Sequence, residues 1–153
     1  MDFEKLYAKY KLEGKSQYVS VELLRNEEDD AFLDRLASFL VDSCEVLEFR
    51  GSNLTTKRFV KLAKKVRQLC AQFGVIFIIG ERVDVAFVVQ ADGICVDKNG
   101  FPIEEIRDIL GKSSLIGFRY EDYIPEKGVD FLVTKGSKFS SELPIFVENI
   151  KKC

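Results

Sequence analysis

The sequence predicts one α/β domain, a (β/α) barrel of the TIM type shortened to about seven parallel strands. Short apolar runs alternate with segments of helical periodicity, which is typical of a parallel sheet covered by helices. The stretch from Val75 to Gly100 holds one complete unit: an apolar run, a short periodic segment, a turn and a second apolar run. No G-x-G-x-x-G follows the first strand, which disfavours a dinucleotide-binding sheet.

The elements follow each other in this alternating order. The clearest is a helix over 55–73, in which apolar residues recur at helical spacing until Gly74 ends it. β-Branched and aromatic residues mark the strands. In chain order we predict a helix over 1–15, a strand over 17–23, an acidic turn at 27–30 that leads into a helix, a strand over 46–50, the helix over 55–73, strands over 75–79 and 94–96 with a short helix between them, a helix between Pro102 and Gly111, and strands over 115–119, 130–134 and 143–148.

The later connections are too short for a complete barrel. About ten residues, with Pro125 among them, separate the fifth strand from the sixth, and about eight separate the sixth from the seventh. A parallel crossover usually needs about a dozen residues or more, and a complete barrel takes ~200 or more. We therefore expect crossover helices to be missing in the second half.

Composition excludes several classes of protein. The 153 residues are 46% hydrophobic and 31% charged with a net charge of −2, which describes a globular chain without bulk attraction to nucleic acid or anionic membranes. No apolar run is long enough to span a bilayer. The first five residues are charged where a signal peptide is apolar, so we expect a cytoplasmic protein. The helix over 55–73 has a basic face, which we interpret as solvated because no aromatic residues interleave with its charges.

The chain has four cysteines, no C-x-x-C pair and no histidine, which argues against a zinc site. Cys44, Cys70 and Cys95 fall on predicted helices and strands, where buried reduced thiols are usual, and Cys153 ends the chain. Without histidine, catalysis would depend on carboxylates, lysine, arginine or a metal held by oxygen ligands. Candidate groups of this kind, Glu81, Asp97 and Asn99, follow two strands at the end where ligands bind in such folds.

Four stretches together resemble the thiamine phosphate synthase/TenI family. Residues 47–52 (LEFRGS) stand where the family has Q-x-R-x-K, and residues 78–86 (IIGERVDVA) resemble I-N-D-x-x-D-x-A. Residues 91–96 (ADGICV) resemble A-D-G-V-H-L, and residues 116–118 resemble the start of the following I-G-x-S. The resemblance covers about half of the chain, from Val46 to Phe118, with the same order and spacing throughout.

The resemblance implies a barrel that joins an aminopyrimidine methyl diphosphate to a thiazole phosphate and releases pyrophosphate, with Mg²⁺ in the site. Arg50 matches the family arginine, whereas Glu48, Ser52 and Gly80 replace its glutamine, lysine and asparagine. Glu81 replaces the first magnesium aspartate. The second falls at Gly100, with Asp97 nearby in another register; Cys95 and Arg119 replace a histidine and a serine. Lys135 or Lys138 stands in for a lysine after the sixth strand, and acidic Glu148 lies where a phosphate loop is expected.

Three interpretations stay open. In the first, the chain is a degenerate family member that binds a phosphate ligand at most weakly. In the second, it is an active Mg²⁺-dependent synthase. In the third, it is a homo-oligomer or interaction protein in which another chain covers open strand edges near Phe131, Leu132, Ile145 and Phe146. Candidate substrate-binding residues are Arg50, Glu48, Arg119, Lys135 and Lys138, and candidate metal ligands are Glu81 and Asp97.

Several of these candidate residues can instead have a purely structural role. Glu81 and Arg82 can cap the short helix that follows them. Arg119 can form an ion pair with Glu48, Glu121 or Asp122. Residues 97–100 (DKNG) have the composition of an ordinary turn.

Overall fold

The seven predicted parallel strands close into a barrel. The computed structural model describes residues 17–40, 44–125, 127–135 and 145–150. The strands are β1 (Gln17–Val21), β2 (Cys44–Phe49), β3 (Ile76–Gly80), β4 (Gly93–Val96), β5 (Leu115–Arg119), β6 (Phe131–Thr134) and β7 (Ile145–Ile150). The helices are α1 (Asp29–Leu40), α2 (Thr56–Phe73), α3 (Val83–Val89) and α4 (Ile103–Leu110). The predicted helix over 1–15, Lys138 and Cys153 lie outside the described residues, and no described helix is long and apolar enough to cross a membrane.

Each strand pairs in parallel with the next, and β7 returns to β1, with Tyr18 opposite Glu148. The expectation of open strand edges is therefore wrong for the described barrel. Phe131 and Phe146 lie in the barrel interior and Leu132 in the layer beneath the helices, so they do not form an exposed partner surface. The side chain of Ile145 is outside the described part.

Glycines on the inner face explain how so few strands can close. Barrel diameter grows with strand number, so seven strands enclose a narrow interior. A side chain at Gly117 would overlap the ring of Phe131, and one at Gly93 would overlap Leu115 across the β4–β5 pair. The space that these two glycines leave is filled by neighbouring side chains, and described residues of the interior form one buried apolar cluster.

Alternation along the strands separates two apolar layers. Outward-facing residues pack against α1 to α4, and inward-facing residues fill the barrel. The inward set includes an aromatic group of Tyr18, Phe131 and Phe146, whose ring centroids lie 5.4 to 6.0 Å apart. Toward the carboxyl ends of the strands the inner face becomes polar, with Ser20, Glu48, Arg119 and Glu148 all buried.

The β5–β6 connection contains no helix in its described residues, 120–125 and 127–130, as predicted. Arg107 of α4 anchors this connection through hydrogen bonds. Its guanidinium donates to the carbonyl oxygens of Ser114 (2.6 Å) and Gly128 (3.1 Å) and to the Asp130 carboxylate (3.1 Å), which also accepts from the Ile116 backbone N–H (2.8 Å). Side-chain hydrogen bonds thus anchor a crossover that has no helix to pack.

Observed element bounds differ from the predicted ones by one or two residues at most ends, as expected where strands fray. β7 runs from Ile145 to Ile150 and thus ends two residues later than predicted, while residues 143 and 144 lie outside the described part. Pairing with β1 decides its position, because Glu148 and Asn149 lie opposite Tyr18 and Val19.

Candidate functional site

A buried ionic network fills the mouth of the barrel at the carboxyl ends of the strands. Glu48 lies near the end of β2 and is fully buried, because the alternation of that strand turns it inward between Val46 and the mouth. Arg119, the last residue of β5, and Glu148 of β7 also point inward. Strands distant in sequence therefore bring these three charged side chains together.

Glu48 is the centre of this network. Arg119 Nη2 donates to both Glu48 carboxylate oxygens at 2.6 Å, and the Tyr18 hydroxyl donates to Oε1 at 2.5 Å. Arg119 Nη1 pairs with Glu148 Oε2 at 2.6 Å, and Arg50 Nε lies 3.5 Å from Glu48 Oε2. Two carboxylates and two guanidinium groups balance each other, as buried charges require.

Burial and neighbouring charges shift the pKa values of two members of the network, Arg119 and Tyr18. Burial opposes the charge on Arg119, but Glu48 and other neighbours more than offset it, so the pKa of Arg119 is raised above its ordinary value. Burial, followed by the fields of Cys95 and Glu48, raises the pKa of Tyr18 well above its ordinary value. Tyr18 thus stays a neutral hydrogen-bond donor to a charged acceptor.

A small cleft lies beside the network. It has a volume of about 190 Å³ and is lined by Arg50, Gly51, Ser52, Leu54, Gly80, Glu81 and Arg82. Gly80 is needed at its floor, because an added Cβ would lie 2.9 Å from Glu48 Oε2 and from Arg50 Cγ. The cleft therefore combines cations from two loops with an acidic residue.

Glu81 is the unusual residue of this cleft. Its backbone adopts the left-handed region (φ 64°), and its N–H donates to Cys95 O at 2.9 Å. Its carboxyl Oε1 is buried without a hydrogen-bond partner among the described residues. Burial, then the fields of Asp97 and Glu48, raise its pKa from 4.5 to about 7, although Arg50 opposes this shift. A cation bound next to this half-buried, unpaired carboxyl would stabilise its charged form.

Gly100 leaves room for the Glu81 carboxylate, since an added Cβ there would lie 2.9 Å from Glu81 Oε2. Asp97 lies in the same loop, where its Oδ1 accepts from the Asn99 N–H at 2.8 Å in an ordinary turn. Within the described residues, no group of three or more histidine, cysteine or carboxylate side chains gathers. Glu81 and Asp97 remain the candidate metal pair.

The other predicted residues lie apart or serve structural roles. Lys135 is exposed after β6, and no hydrogen bond or ion pair joins it to the network within the described part of the chain. The expected capping role is confirmed for Arg82 in position alone, and no side-chain capping bond is formed. Arg82 occupies the first cap position of α3, and its guanidinium instead binds Asp84 and Thr56.

The ion pair between Arg119 and Glu48 is confirmed, whereas Glu121 and Asp122 pair with Lys98. Sequence reasoning missed Tyr18 and the pairing of Glu148 with Arg119. Strand alternation gives a signal for both, because it turns each of these residues inward. It also missed that Arg82 lines the cleft.

A family model and individual relatives indicate the same protein family. The family model described as thiamine monophosphate synthase matches residues 22–123. Thiamine-phosphate synthase of Fusobacterium nucleatum is 40% identical over 73 residues, covering 48% of this chain and 35% of that protein. The enzyme of the same name from Methanosarcina barkeri is 32% identical over 94 residues, covering 58% and 42%. The matches span less than half the length of these curated relatives.

A solved structure supports the barrel. Thiamine phosphate pyrophosphorylase from Pyrococcus furiosus superposes with a TM-score of 0.71 at 24% sequence identity, covering 90% of this chain and 77% of that one. At this identity the likeness shows the fold alone.

Proposed function

The chain belongs to the thiamine monophosphate synthase family, and from this premise we propose that it is a degenerate member that binds small phosphate anions weakly. We further propose that residues 1–153 form one domain and act in the cytoplasm, where the buried thiols of Cys44, Cys70 and Cys95 stay reduced. The observation that carries the proposal is the ionic network in the barrel mouth.

The side chains of the network occupy the space in the barrel mouth that a substrate would have to enter. Both oxygens of Glu48 are already bonded to Arg119, and Arg119 also holds Glu148. A pyrimidine that reached this position would have to separate buried charges, and breaking a buried pair costs about 3–5 kcal/mol. Arg119 stands where the family resemblance implies a serine, a much smaller side chain. This substitution and its ion pairs support the proposal that the synthase reaction is lost.

The remaining cleft suits a smaller ligand. Its volume of about 190 Å³ is below the ~300–1,000 Å³ of ordinary small-molecule pockets. Arg50 and Arg82 line it and supply the donors that phosphate oxygens need. Inorganic phosphate or pyrophosphate is therefore the class of ligand that the cleft favours.

Magnesium fits the carboxylates beside this cleft. Glu81 has an orphan oxygen, and Asp97 is near enough to raise its pKa. Mg²⁺ at phosphate sites is usually held by one or two carboxylates together with phosphate oxygens. Glu81 and Asp97 would hold the ion, and when bound it supplies positive charge that offsets the charge of a diphosphate. Arg50, which also lines the cleft, would then contact the anion.

The same pair of carboxylates favours one alternative, an active Mg²⁺-dependent synthase that joins an aminopyrimidine diphosphate to a thiazole phosphate. In that case Arg50, Arg119 and one of Lys135 or Lys138 hold the diphosphate. Arg119 would have to leave Glu48 and Glu148 during each turnover, which makes this the less favoured function.

Thermal melting and a turnover assay distinguish the degenerate protein from the active synthase. We expect no thiamine phosphate formation above the protein-free rate, and a rise in Tm with pyrophosphate that requires Mg²⁺. Ligand at ten times its Kd should stabilise the native state by about 1.4 kcal/mol. Glu81→Gln and Arg50→Gln should abolish this rise, whereas Lys65→Gln, exposed on α2 and lining a different cleft, should leave it unchanged.

Product formation that Glu81→Gln abolishes would establish the synthase and refute the degenerate assignment. An unchanged Tm at millimolar pyrophosphate, with and without Mg²⁺, would refute anion binding in the cleft.

A further inference from the structure

Three neighbouring helices on one side of the barrel expose surfaces of different chemistry. α3 packs between α2 and α4. α2 contains no acidic residue in its eighteen positions. Its exposed lysines, which have no ion-pair partner among the described residues, are Lys57, Lys61, Lys64 and Lys65. Lys61 and Lys65 line a shallow cleft together with the acidic residues Glu27 to Asp30, which balance their charge. Lys57 and Lys64 lie outside that cleft and give the helix its remaining positive surface.

The middle helix is apolar on its outer side. Phe87 is 60% exposed and Val88 is 53% exposed, and both belong to the seven-residue helix α3. Ile109 of α4 adds a further apolar side chain with 41% exposure. Exposed apolar groups of this size on adjacent helices are typical of contact surfaces.

The third helix is acidic. The exposed residues Glu104, Glu105 and Asp108 lie on α4. The one cation of this helix, Arg107, is engaged with Asp130 and does not neutralise them. Across the three helices the order is thus basic, apolar and acidic.

Two copies of this surface can face each other with opposite charges in contact. A two-fold axis lying in the contact plane and running along α3 brings α2 of one copy onto α4 of the other. It also places α3 against α3. Both outer contacts then join opposite charges, and Phe87 and Val88 are covered at the centre. An axis running across the helices would instead place α2 against α2 and oppose like charges. We propose that the chain forms a symmetric homodimer through α2, α3 and α4.

The size of the surface indicates a weak, reversible dimer. An 18-residue helix is ~27 Å long and the two short helices are ~11 Å each, and helices pack ~10 Å apart. Together they cover on the order of 500 Å² per copy, which is at the lower end for specific complexes. We expect a Kd in the micromolar range that rises with salt, since the outer contacts are exposed ion pairs.

A second copy explains more of this surface than other occupants. A polyanion could neutralise α2, but it would leave the apolar side chains of α3 exposed and would be repelled by α4. The same chain supplies all three complements.

Sedimentation equilibrium of the full chain tests the proposal. At about 50 mM salt we expect a monomer–dimer equilibrium with micromolar Kd, weakened roughly tenfold or more at about 500 mM. Phe87→Ser should weaken it at both salt concentrations. Two charge variants, Lys57→Glu/Lys64→Glu and Glu105→Lys/Asp108→Lys, should each be monomeric, because each places like charges against each other at both outer contacts of the dimer. Mixed together they should form a heterodimer, because both outer contacts then join opposite charges.

Arg25→Glu and Asp34→Lys, exposed on the β1–α1 loop and on α1, are matched controls that should dimerise like the wild type. Circular dichroism confirms that each variant is folded. A wild-type chain that stays monomeric at several hundred micromolar in low salt overturns the proposal and leaves α2 to an acidic partner. A mixture of the two charge variants that stays monomeric also overturns it.

Discussion

Glu48 shows how a single inward-facing carboxylate sets the chemistry of the barrel mouth. It is fully buried, yet it receives hydrogen bonds from Arg119 and Tyr18, and Arg50 lies 3.5 Å away. A carboxylate in this position is tolerated only while these partners are present. The residue therefore links the stability of the barrel to the exclusion of ligand from its mouth.

Removing Arg119 alone should be severely destabilising. Arg119→Met leaves Glu48 and Glu148 buried without their cation, and we expect a loss of about 3–5 kcal/mol in the free energy of unfolding at neutral pH. The double variant Glu48→Gln/Arg119→Met should lose less than the single variant, because one uncompensated charge is removed with its partner. Urea denaturation measures both. A single variant that loses under about 1 kcal/mol would contradict a paired, buried network.

Glu81 should make stability depend on pH in a defined direction. Burial raises the pKa of Glu81 to about 7 in the folded chain, whereas an exposed glutamate has a pKa of 4.5. Between these values the folded state retains a proton that the unfolded chain has lost, so the contribution of Glu81 falls as pH rises from about 4.5 to 7. Glu81→Gln should remove this part of the pH dependence. Thermal melts of both proteins from pH 4 to 8 test it, and parallel Tm curves would contradict it.

At the scale of elements, Arg107 is the device that replaces a missing helix. It joins α4 to the start of β5 and to the end of the β5–β6 connection through four acceptors. Its guanidinium is planar and presents several donors at fixed angles, which a lysine cannot reproduce.

We expect Arg107→Met to lower the free energy of unfolding by about 2 kcal/mol, since hydrogen bonds from charged groups contribute ~1.5–3 kcal/mol each and water replaces part of them. Proteolysis should become faster within 120–129. Arg107→Lys should rescue little of either effect. Limited proteolysis with mass spectrometry, together with urea unfolding, measures both, and full rescue by lysine would mean that charge alone matters.

The helices and strands could be predicted from the sequence, whereas the arrangement of the candidate site could be predicted only in part. Apolar periodicity predicts α2, and Gly74 in the left-handed region (φ 68°) ends it as expected. The pairing of Arg119 with Glu48 was one of three options, since residue spacing cannot choose between Glu48, Glu121 and Asp122. Closure decides it, because pairing of distant strands sets which side chains meet inside the barrel.

For the whole molecule, closure makes the interior a single cooperative unit. Tyr18 packs against Phe131 and Phe146, which also pack against each other, and its hydroxyl donates to Glu48. Its raised pKa means that the folded barrel keeps the phenol neutral where an unfolded chain would ionise it. Stability should therefore fall as pH rises above about 10.

Alkaline titration should show this directly. Of the five tyrosines of the chain, we expect Tyr18 to ionise only together with unfolding, monitored by tyrosinate absorbance and circular dichroism. Tyr18→Phe should remove one tyrosinate from the step that coincides with unfolding. Ionisation of all tyrosines before any loss of structure would mean that Tyr18 is open to solvent.

The pairing of the first strand with the last also bears on how the chain is made. β1 leaves the ribosome about 120 residues before β7, its second neighbour. At ordinary rates of synthesis this takes roughly 6 to 25 seconds. During that time the backbone N–H and C=O groups on one side of β1 have no native partner and can pair with another nascent chain. Slower translation lengthens this interval, so the yield of soluble protein should depend on how fast the chain is completed and on chaperones that bind extended segments.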